Sequence, residues 1–325
     1  MGKVRDISFV FLGATKFSKE LLIFLIDLGY IPKAIFSIPE NFNITYHTNK
    51  KVIMKNYNYS DLRSIAKYYG IKYFEIDSVE GKRIKDYEVL LKNLNLDLML
   101  VLGWYYIIPK KIRDLARYGA WGIHASLLPD YAGGSPLVWA IINGETKTGV
   151  TLFKLSDGID DGDIIAQKSF EIEFQDTINE VYQKAIYYSK EILKHALENI
   201  NDIELKPQDK SKIKIYPQRF PEDGLINWNQ EAKKVYNFIR AQTLPYPCAF
   251  SFLDNKKIRF INSYIVDINN INYQPGRIVF LDDIIAVSTK DKFIRPFDIL
   301  IENGNHRISF SDFVISNCLI DKYFS

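Results

Sequence analysis

His124 follows a short apolar run and precedes a loop stiffened by Pro129 and Pro136 and loosened by Gly133 and Gly134. Functional groups gather on such loops at strand ends in open α/β sheets. Downstream, Asp157, Asp160, Asp161 and Asp163 crowd into seven residues with Gly158 and Gly162, just after a β-type run over 150–155. Carboxylates so close either repel one another or find partners. An imidazole beside a carboxylate makes a general acid or base, because the carboxylate fixes the ring tautomer and raises its proton affinity toward working pH. Two plainer readings stay open at this point, a hydrogen-bonded structural histidine and a solvated Asp-Gly turn. Spacing alone does not choose among the aspartates.

Other chemistries find little support. The two cysteines, Cys248 and Cys318, form no CxxC pair, and the four histidines are scattered, which argues against a disulfide scaffold, a zinc module and any metal site. Gly13 lies in a strand-to-helix turn, but GxGxxG is absent, so NAD binding is not expected. Ser126 lacks the flanking glycines of a nucleophile elbow. The 42 basic and 39 acidic residues leave a net charge of +3, far from the balance of a typical nucleic-acid binder. No apolar stretch reaches the ~20 residues of a membrane span, since Asp27 interrupts the longest early candidate. Lys3, Arg5 and Asp6 precede a short β-type run without the apolar core of a secretory signal, so a cytoplasmic, membrane-free protein is expected.

The elements that must position His124 read as α/β. Of 325 residues, 47% are hydrophobic and 25% charged, enough to bury a sizeable core. Residues 7–12 predict a strand, 18–28 a helix and 34–38 a second strand, a βαβ beginning that points to a parallel sheet. A helix is predicted over 61–69, a strand edge over 71–76 and a central strand buried on both faces over 96–102. This alternation runs to about residue 200. Residues 211–221 are basic and proline-punctuated, as in a linker, and 230–240 predict a helix. Short β-type runs at 257–260, 277–280, 284–288 and 297–301 then suggest a small antiparallel barrel or sandwich. Tyr57, Tyr59, Tyr68 and Tyr69 read as packing and surface residues.

His124-Ala-Ser-Leu-Leu-Pro129, Gly133-Gly-Ser-Pro136, Asn143-Gly144, Thr148-Gly-Val-Thr151 and Asp157-Gly-Ile-Asp-Asp-Gly-Asp-Ile-Ile165 together resemble the formyltransferases that use N10-formyltetrahydrofolate. These comprise methionyl-tRNA formyltransferases and sugar-nucleotide N-formyltransferases. The likeness extends to Phe11-Leu-Gly13 with Phe17-Ser18, to Gly103-Trp-Tyr-Tyr-Ile-Ile-Pro109, and to Arg219-Phe-Pro-Glu-Asp-Gly-Leu-Ile-Asn-Trp228. It also takes in Ile239-Arg-Ala-Gln-Thr-Leu-Pro-Tyr-Pro247 and, more weakly, Pro275-Gly-Arg277, so it covers most of the chain. The resemblance implies a Rossmann-like, mostly parallel catalytic domain over 1–205. A linker helix and a smaller, β-rich, barrel-like domain would follow over 206–325.

It also implies an Asn-His-Asp catalytic set, with His124 as the histidine and Asp160 as the aspartate. The asparagine position holds Gly122. In the implied reaction a primary amine attacks the formyl carbonyl, a tetrahedral oxyanion develops and the amine loses a proton. His124 would stabilise the oxyanion, and Asp160 would orient it and receive the amine proton. The asparagine amide would donate to the same oxyanion, and losing one such donor typically costs about 100- to 1000-fold in rate. With glycine there, a water, a backbone N–H or another side chain fills the gap, or the chain is a weakened binding relative. Ser126, Leu127, Leu128 and Pro129, with Trp104 and Tyr105, would shape the folate pocket, a packing role standing beside it for the loop residues.

The resemblance leaves the acceptor amine open. In methionyl-tRNA enzymes a basic, glycine-containing insertion follows the second strand, whereas residues 39–61 here mix Lys50, Lys51 and Lys55 with Asn and Tyr. Polyanion binding needs clustered cations. A nucleotide-linked amino sugar is therefore the expected substrate, with transfer RNA as the alternative. Lys50, Lys51, Lys55, Tyr57 and Tyr59 are candidates for its pyrophosphate and base, against a plain solvated surface. A homodimer through the C-terminal sheet would be natural without being required.

Overall fold

Phe9–Leu12 are apolar and buried without exception, the pattern of a strand covered on both faces by helices. The computed structural model describes residues 7–45, 51–76, 82–302 and 306–325. Its elements begin with β1 (Phe9–Leu12), α1 (Lys16–Asp27), β2 (Ala34–Ser37), β3 (Asn41–Thr45), β4 (Lys51–Lys55), α2 (Arg63–Tyr68), β5 (Lys72–Glu75) and α3 (Glu88–Asn93). There follow β6 (Leu98–Val101), α4 (Lys110–Arg113), β7 (Ala120–His124), β8 (Ala132–Gly133), α5 (Pro136–Ile142), β9 (Lys147–Lys154), β10 (Ile164–Glu171) and α6 (Ile178–Glu198). The remainder comprises β11 (Ile215–Tyr216), α7 (Ala232–Arg240), β12 (Ala249–Leu253), β13 (Lys256–Val266), β14 (Ile278–Leu281), β15 (Ile284–Ser288), β16 (Phe293–Ile301), β17 (Arg307–Ser309) and α8 (Phe310–Ser316).

Two compact units divide the chain. One comprises 1–133, 149–170 and 184–215, the other 134–148, 171–183 and 216–325. The expected single cut at 205/206 differs from this: it would leave 134–148 and 171–183 with the first unit and move 206–215 to the second.

In the first unit a seven-stranded sheet runs β10-β9-β7-β6-β1-β2-β5. β5, β2, β1, β6 and β7 are parallel, and β9 returns antiparallel against β7 with His124 opposite Thr151. This is the expected Rossmann-like, mostly parallel sheet. The carboxyl ends of β1 and β6 are sewn together. Ser18 Oγ donates to the Leu102 carbonyl (2.5 Å) and accepts from Thr15 N (3.0 Å), while Thr15 Oγ1 accepts from Ser18 N (3.1 Å), a reciprocal cap that starts α1. Gly103 has φ +71°, and a Cβ there would stand 2.2 Å from Thr15 Oγ1, so the turn after β6 tolerates glycine alone.

The second unit holds an antiparallel sheet in the order β12-β13-β16-β15-β14, with β17 on β16. Its core gathers Trp228, Ile239, Ile258, Phe260, Ile294, Phe310 and Phe324. Trp228 stacks on Phe324 (5.6 Å between centroids) and donates its indole N–H to Ser251 Oγ (3.0 Å). The β-rich domain matches expectation, but β13 and β16 are longer than their apolar runs suggest. A register shift between Phe260 and Ser263 lets Pro296, which has no N–H to give, sit inside β16 opposite Ser263. Among the described residues, no helix is long and apolar enough to cross a membrane, and no cluster of His, Cys, Asp or Glu could hold a metal.

Candidate active site

His124 ends β7 at the carboxyl edge of the sheet, where open α/β sheets place ligands, and its side chain is only 10% exposed. Its Nε2 lies 2.8 Å from the Tyr131 carbonyl. A carbonyl can only accept, so Nε2 carries the hydrogen. Nδ1 is left facing Asp160 Oδ2 at 3.5 Å. A bare Nδ1 would set its lone pair against a carboxylate, so this contact is attractive only with a proton between the two.

Asp160 reaches this position from a strained turn. Its φ is +50°, a left-handed value that aspartate adopts more readily than most residues. The oxygen facing His124 also accepts the Gly133 N–H at 2.8 Å. Its neighbours pin the turn. Arg113, buried at the end of α4, donates Nη1 to the Leu155 carbonyl (2.5 Å) and pairs through Nη2 with Asp157. Asp161 accepts from the Ser156 hydroxyl and from Lys210 (3.0 Å), and the Ser156 bond first, then Lys210, holds its carboxyl below the usual range. Three of the four aspartates are thereby told apart: Asp157 and Asp161 are tied to cations, and Asp160 turns to the histidine.

The loop after β7 is organised by Thr151, fully buried on β9. Its hydroxyl donates to the Ser126 carbonyl (2.7 Å), accepts from Leu128 N (3.1 Å), and accepts from Gln167 Nε2 (2.9 Å), which also reaches the Leu128 carbonyl (2.7 Å). Ser126 Oγ is committed to the Asp130 carbonyl (2.6 Å), and Leu128 packs with Ala132 and Phe153. Leu127 and Pro129 stay half-buried. Gly122, two residues before His124 on the same face of β7, meets apolar surface. A Cβ there would stand 2.9 Å from Leu155 Cδ2 and 3.3 Å from Phe153 Cε1.

β6 and β7 are adjacent and parallel, so the loop after β6 lies on the same edge of the sheet. There Tyr105 is 37% and Ile107 88% exposed, and Tyr105 OH donates to Asn56 Oδ1 (3.1 Å). Trp104 is half-buried, with an indole N–H that is buried and without a partner among the described residues. Exposed aromatic and aliphatic surface with a spare N–H donor suits a flat heteroaromatic such as a reduced pteridine, so the residues present fit a folate.

Of the lysines and tyrosines proposed for a phosphate-bearing substrate, Lys55 is paired with Glu40 (3.5 Å) and Tyr57 is exposed beside it. Tyr59 is half-buried and bridges to Thr15. Lys50 lies outside the described residues, and Lys51 is placed only by its backbone in β4. Sequence reasoning singled out neither Arg113, Gln167 nor Gln208, because no local pattern marks them. Thr151 belongs to the Thr148-Gly-Val-Thr151 motif, whose spacing assigns it no role.

Residues 48–197 match the formyl transferase family and 219–317 its C-terminal domain. A methionyl-tRNA formyltransferase of Azobacteroides pseudotrichonymphae is 32% identical over 326 residues, 96% of each chain. The chain belongs to the formyltransferase family. The bifunctional polymyxin resistance protein ArnA of Wigglesworthia glossinidia brevipalpis is 34% identical to this formyltransferase over 274 residues, 82% of this chain and 39% of ArnA. Among solved structures, the N-formyltransferase of Helicobacter canadensis, in complex with folinic acid and dTDP-3-aminofucose, shares the fold. Its TM-score is 0.59 at 21% identity, over 90% of this chain and 100% of that one. The formyltransferase family draws its one-carbon unit from N10-formyltetrahydrofolate.

Proposed function

We propose that this formyltransferase transfers the formyl group to the primary amine of an amino sugar carried on a nucleotide, with His124 and Asp160 as its catalytic residues. The observation that carries the site is the 3.5 Å approach of His124 Nδ1 to Asp160 Oδ2 at the carboxyl end of a parallel strand. When bound, N10-formyltetrahydrofolate supplies a formyl carbon whose bond to N10 is exchanged for one to the acceptor nitrogen. Tyr105, Ile107, Leu127 and Pro129 would cover its rings, and the Trp104 N–H would meet a polar edge. Asp160, 23% exposed, holds His124 and Gly133 through Oδ2. Its Oδ1 accepts no hydrogen bond from a described residue and takes the proton the amine sheds, and a proton returns to N10 as its bond to the formyl carbon breaks, so that tetrahydrofolate leaves. Protonated His124 offsets the negative charge developing on the formyl oxygen, a task made heavier by the missing amide at Gly122. Ser126 and Leu128 act behind this surface, by shaping the loop.

The sugar reading rests on charge. A net charge of +3 and the pairing of Lys55 with Glu40 leave little for a polyphosphate backbone to grip. A methionyl-tRNA acceptor is the second reading, favoured by relatives such as the Azobacteroides enzyme that match end to end. Purified protein with N10-formyltetrahydrofolate is offered a panel of nucleotide-linked amino sugars and charged initiator tRNA, and the products are weighed. A formylated sugar supports the proposal, and formylated methionyl-tRNA alone replaces it with the second reading. His124→Ala and Asp160→Asn should each lower turnover by about 100- to 10000-fold. Retained activity in either would remove that residue from the catalytic pair.

A further inference from the structure

The carboxylate opposite His124 is held in place by a side chain 48 residues away in sequence. Ile164 and Lys206 form an antiparallel bridge, exchanging N–H to O bonds of 2.8 and 2.9 Å. Counting two residues outward from that bridge sets residue 208 opposite residue 162. Gln208 is there, 8% exposed, and its Nε2 donates to the carbonyls of Asp160 (2.8 Å) and Gly162 (2.7 Å). Both partners can only accept, so the amide orientation is decided by its neighbours: the NH2 end must face the turn. The other end, Oε1, is buried with no partner among the described residues. An amide that leaves its own oxygen unsatisfied to bridge two carbonyls of one turn incurs a desolvation cost for the sake of that turn.

We propose that Gln208 is the positioning residue for Asp160. It clamps the main chain on both sides of Asp161 and so keeps Asp160 in its left-handed conformation. That conformation brings Oδ2 onto Gly133 N and His124 Nδ1 at once. The ties from Arg113, Ser156 and Lys210 act on Leu155, Asp157 and Asp161, whereas Gln208 touches the Asp160 peptide itself. Loss of the clamp lets the residue relax toward ordinary φ and swings the carboxylate away from the ring.

The inference rests on the proposed role of the His124–Asp160 pair, and its test separates the two. Gln208→Met keeps the length of the side chain and removes both donors. Ring nitrogen signals of the four histidines are recorded by NMR on the full chain, with His124→Gln identifying the His124 pair. In Gln208→Met the His124 signals should move and lose the signature of an Nε2–H ring facing a carboxylate, while those of His47, His195 and His306 stay. Trp228→Phe, which removes a buried hydrogen bond in the second unit, controls for general destabilisation and should leave His124 unmoved. If the methionine variant does not fold, Gln208→Asn, a methylene shorter, should give the same displacement. With an acceptor amine in hand, kcat should fall about 100-fold with KM little changed, as expected for a misplacement near 1 Å. Unaltered His124 signals in a folded Gln208 variant would overturn the assignment even if no acceptor were found. Failure of every amine to react, with the signals displaced, would count against the proposed function and leave Gln208 as the clamp.

Discussion

Leu155 occupies the space beside Gly122: the place of a Cβ at residue 122 lies 2.9 Å from its Cδ2. The position at which the resemblance implies an asparagine is therefore lined by a leucine end and a phenylalanine edge. Gly122→Asn should need Leu155 to turn aside and should destabilise the protein by about 1–3 kcal/mol, the usual cost of overpacking. Shortening the leucine in the same chain should return part of that loss. Denaturant unfolding of Gly122→Asn, Leu155→Ala and the double variant checks it. A double variant that equals the sum of the singles would show that Leu155 is not what fills the position.

Thr151→Val should be costly for its size. The exchange removes one hydroxyl and strands Leu128 N, the Ser126 carbonyl and one hydrogen of Gln167, all inside the protein. Buried groups left without partners cost about 1–3 kcal/mol each, so a clear fall in melting temperature is expected. Tetrahydrofolate binding, followed by calorimetry, should weaken with it, because the loop from Ser126 to Pro129 loses its anchor.

Acid should weaken the turn through Asp161. Its carboxyl lies below 3.8 in the folded protein because Ser156 and then Lys210 favour the ionised form. A depressed carboxyl stabilises the fold above its unfolded pKa, and that contribution is lost as pH falls through the lower folded value. Asp161→Asn should lower stability at neutral pH and flatten its decline between about pH 5 and pH 2. An unchanged slope would mean that the Ser156 and Lys210 contacts do not persist in solution.

The two cysteines should react at very different rates. Cys248 is 2% exposed and burial pushes its thiol up to about 11, whereas Cys318 is exposed. Near pH 8 one equivalent of iodoacetamide should attach quickly, at Cys318, and the second only after denaturation. Peptide mapping that found Cys248 labelled in the native protein would contradict its burial.

Much of this was legible in the chain. β1, α1, β2 and β6 follow from apolar periodicity, since a strand covered on both faces has little choice of composition. No hairpin is expected over β3 and β4, because the alternation of Asn41–Thr45 lasts only five residues and Lys51–Lys55 sets three apolar residues in a row, without the period of two that marks a half-buried strand. The apolar run marks β16 only from residue 297, since Pro296 ordinarily argues against a strand interior, and the paired register shifts that admit it, one extra residue on β13 and one on β16, are set by tertiary pairing. His124 was visible from its loop, but spacing left four aspartates in contention, and resemblance rather than composition pointed to Asp160. Two features select it physically: β9 returning against β7 with Thr151 opposite His124, and the cations that engage Asp157 and Asp161. Gln208 was invisible because its contribution depends on a bridge between segments some forty residues apart.

The acceptor that fixes the ring of His124 is the peptide oxygen of Tyr131, a residue at φ +56°. A mutational scan of position 131 would sample every side chain and never delete that oxygen. The orientation of the imidazole is thus set by the trajectory of the chain at residue 131, through an atom that every residue type carries.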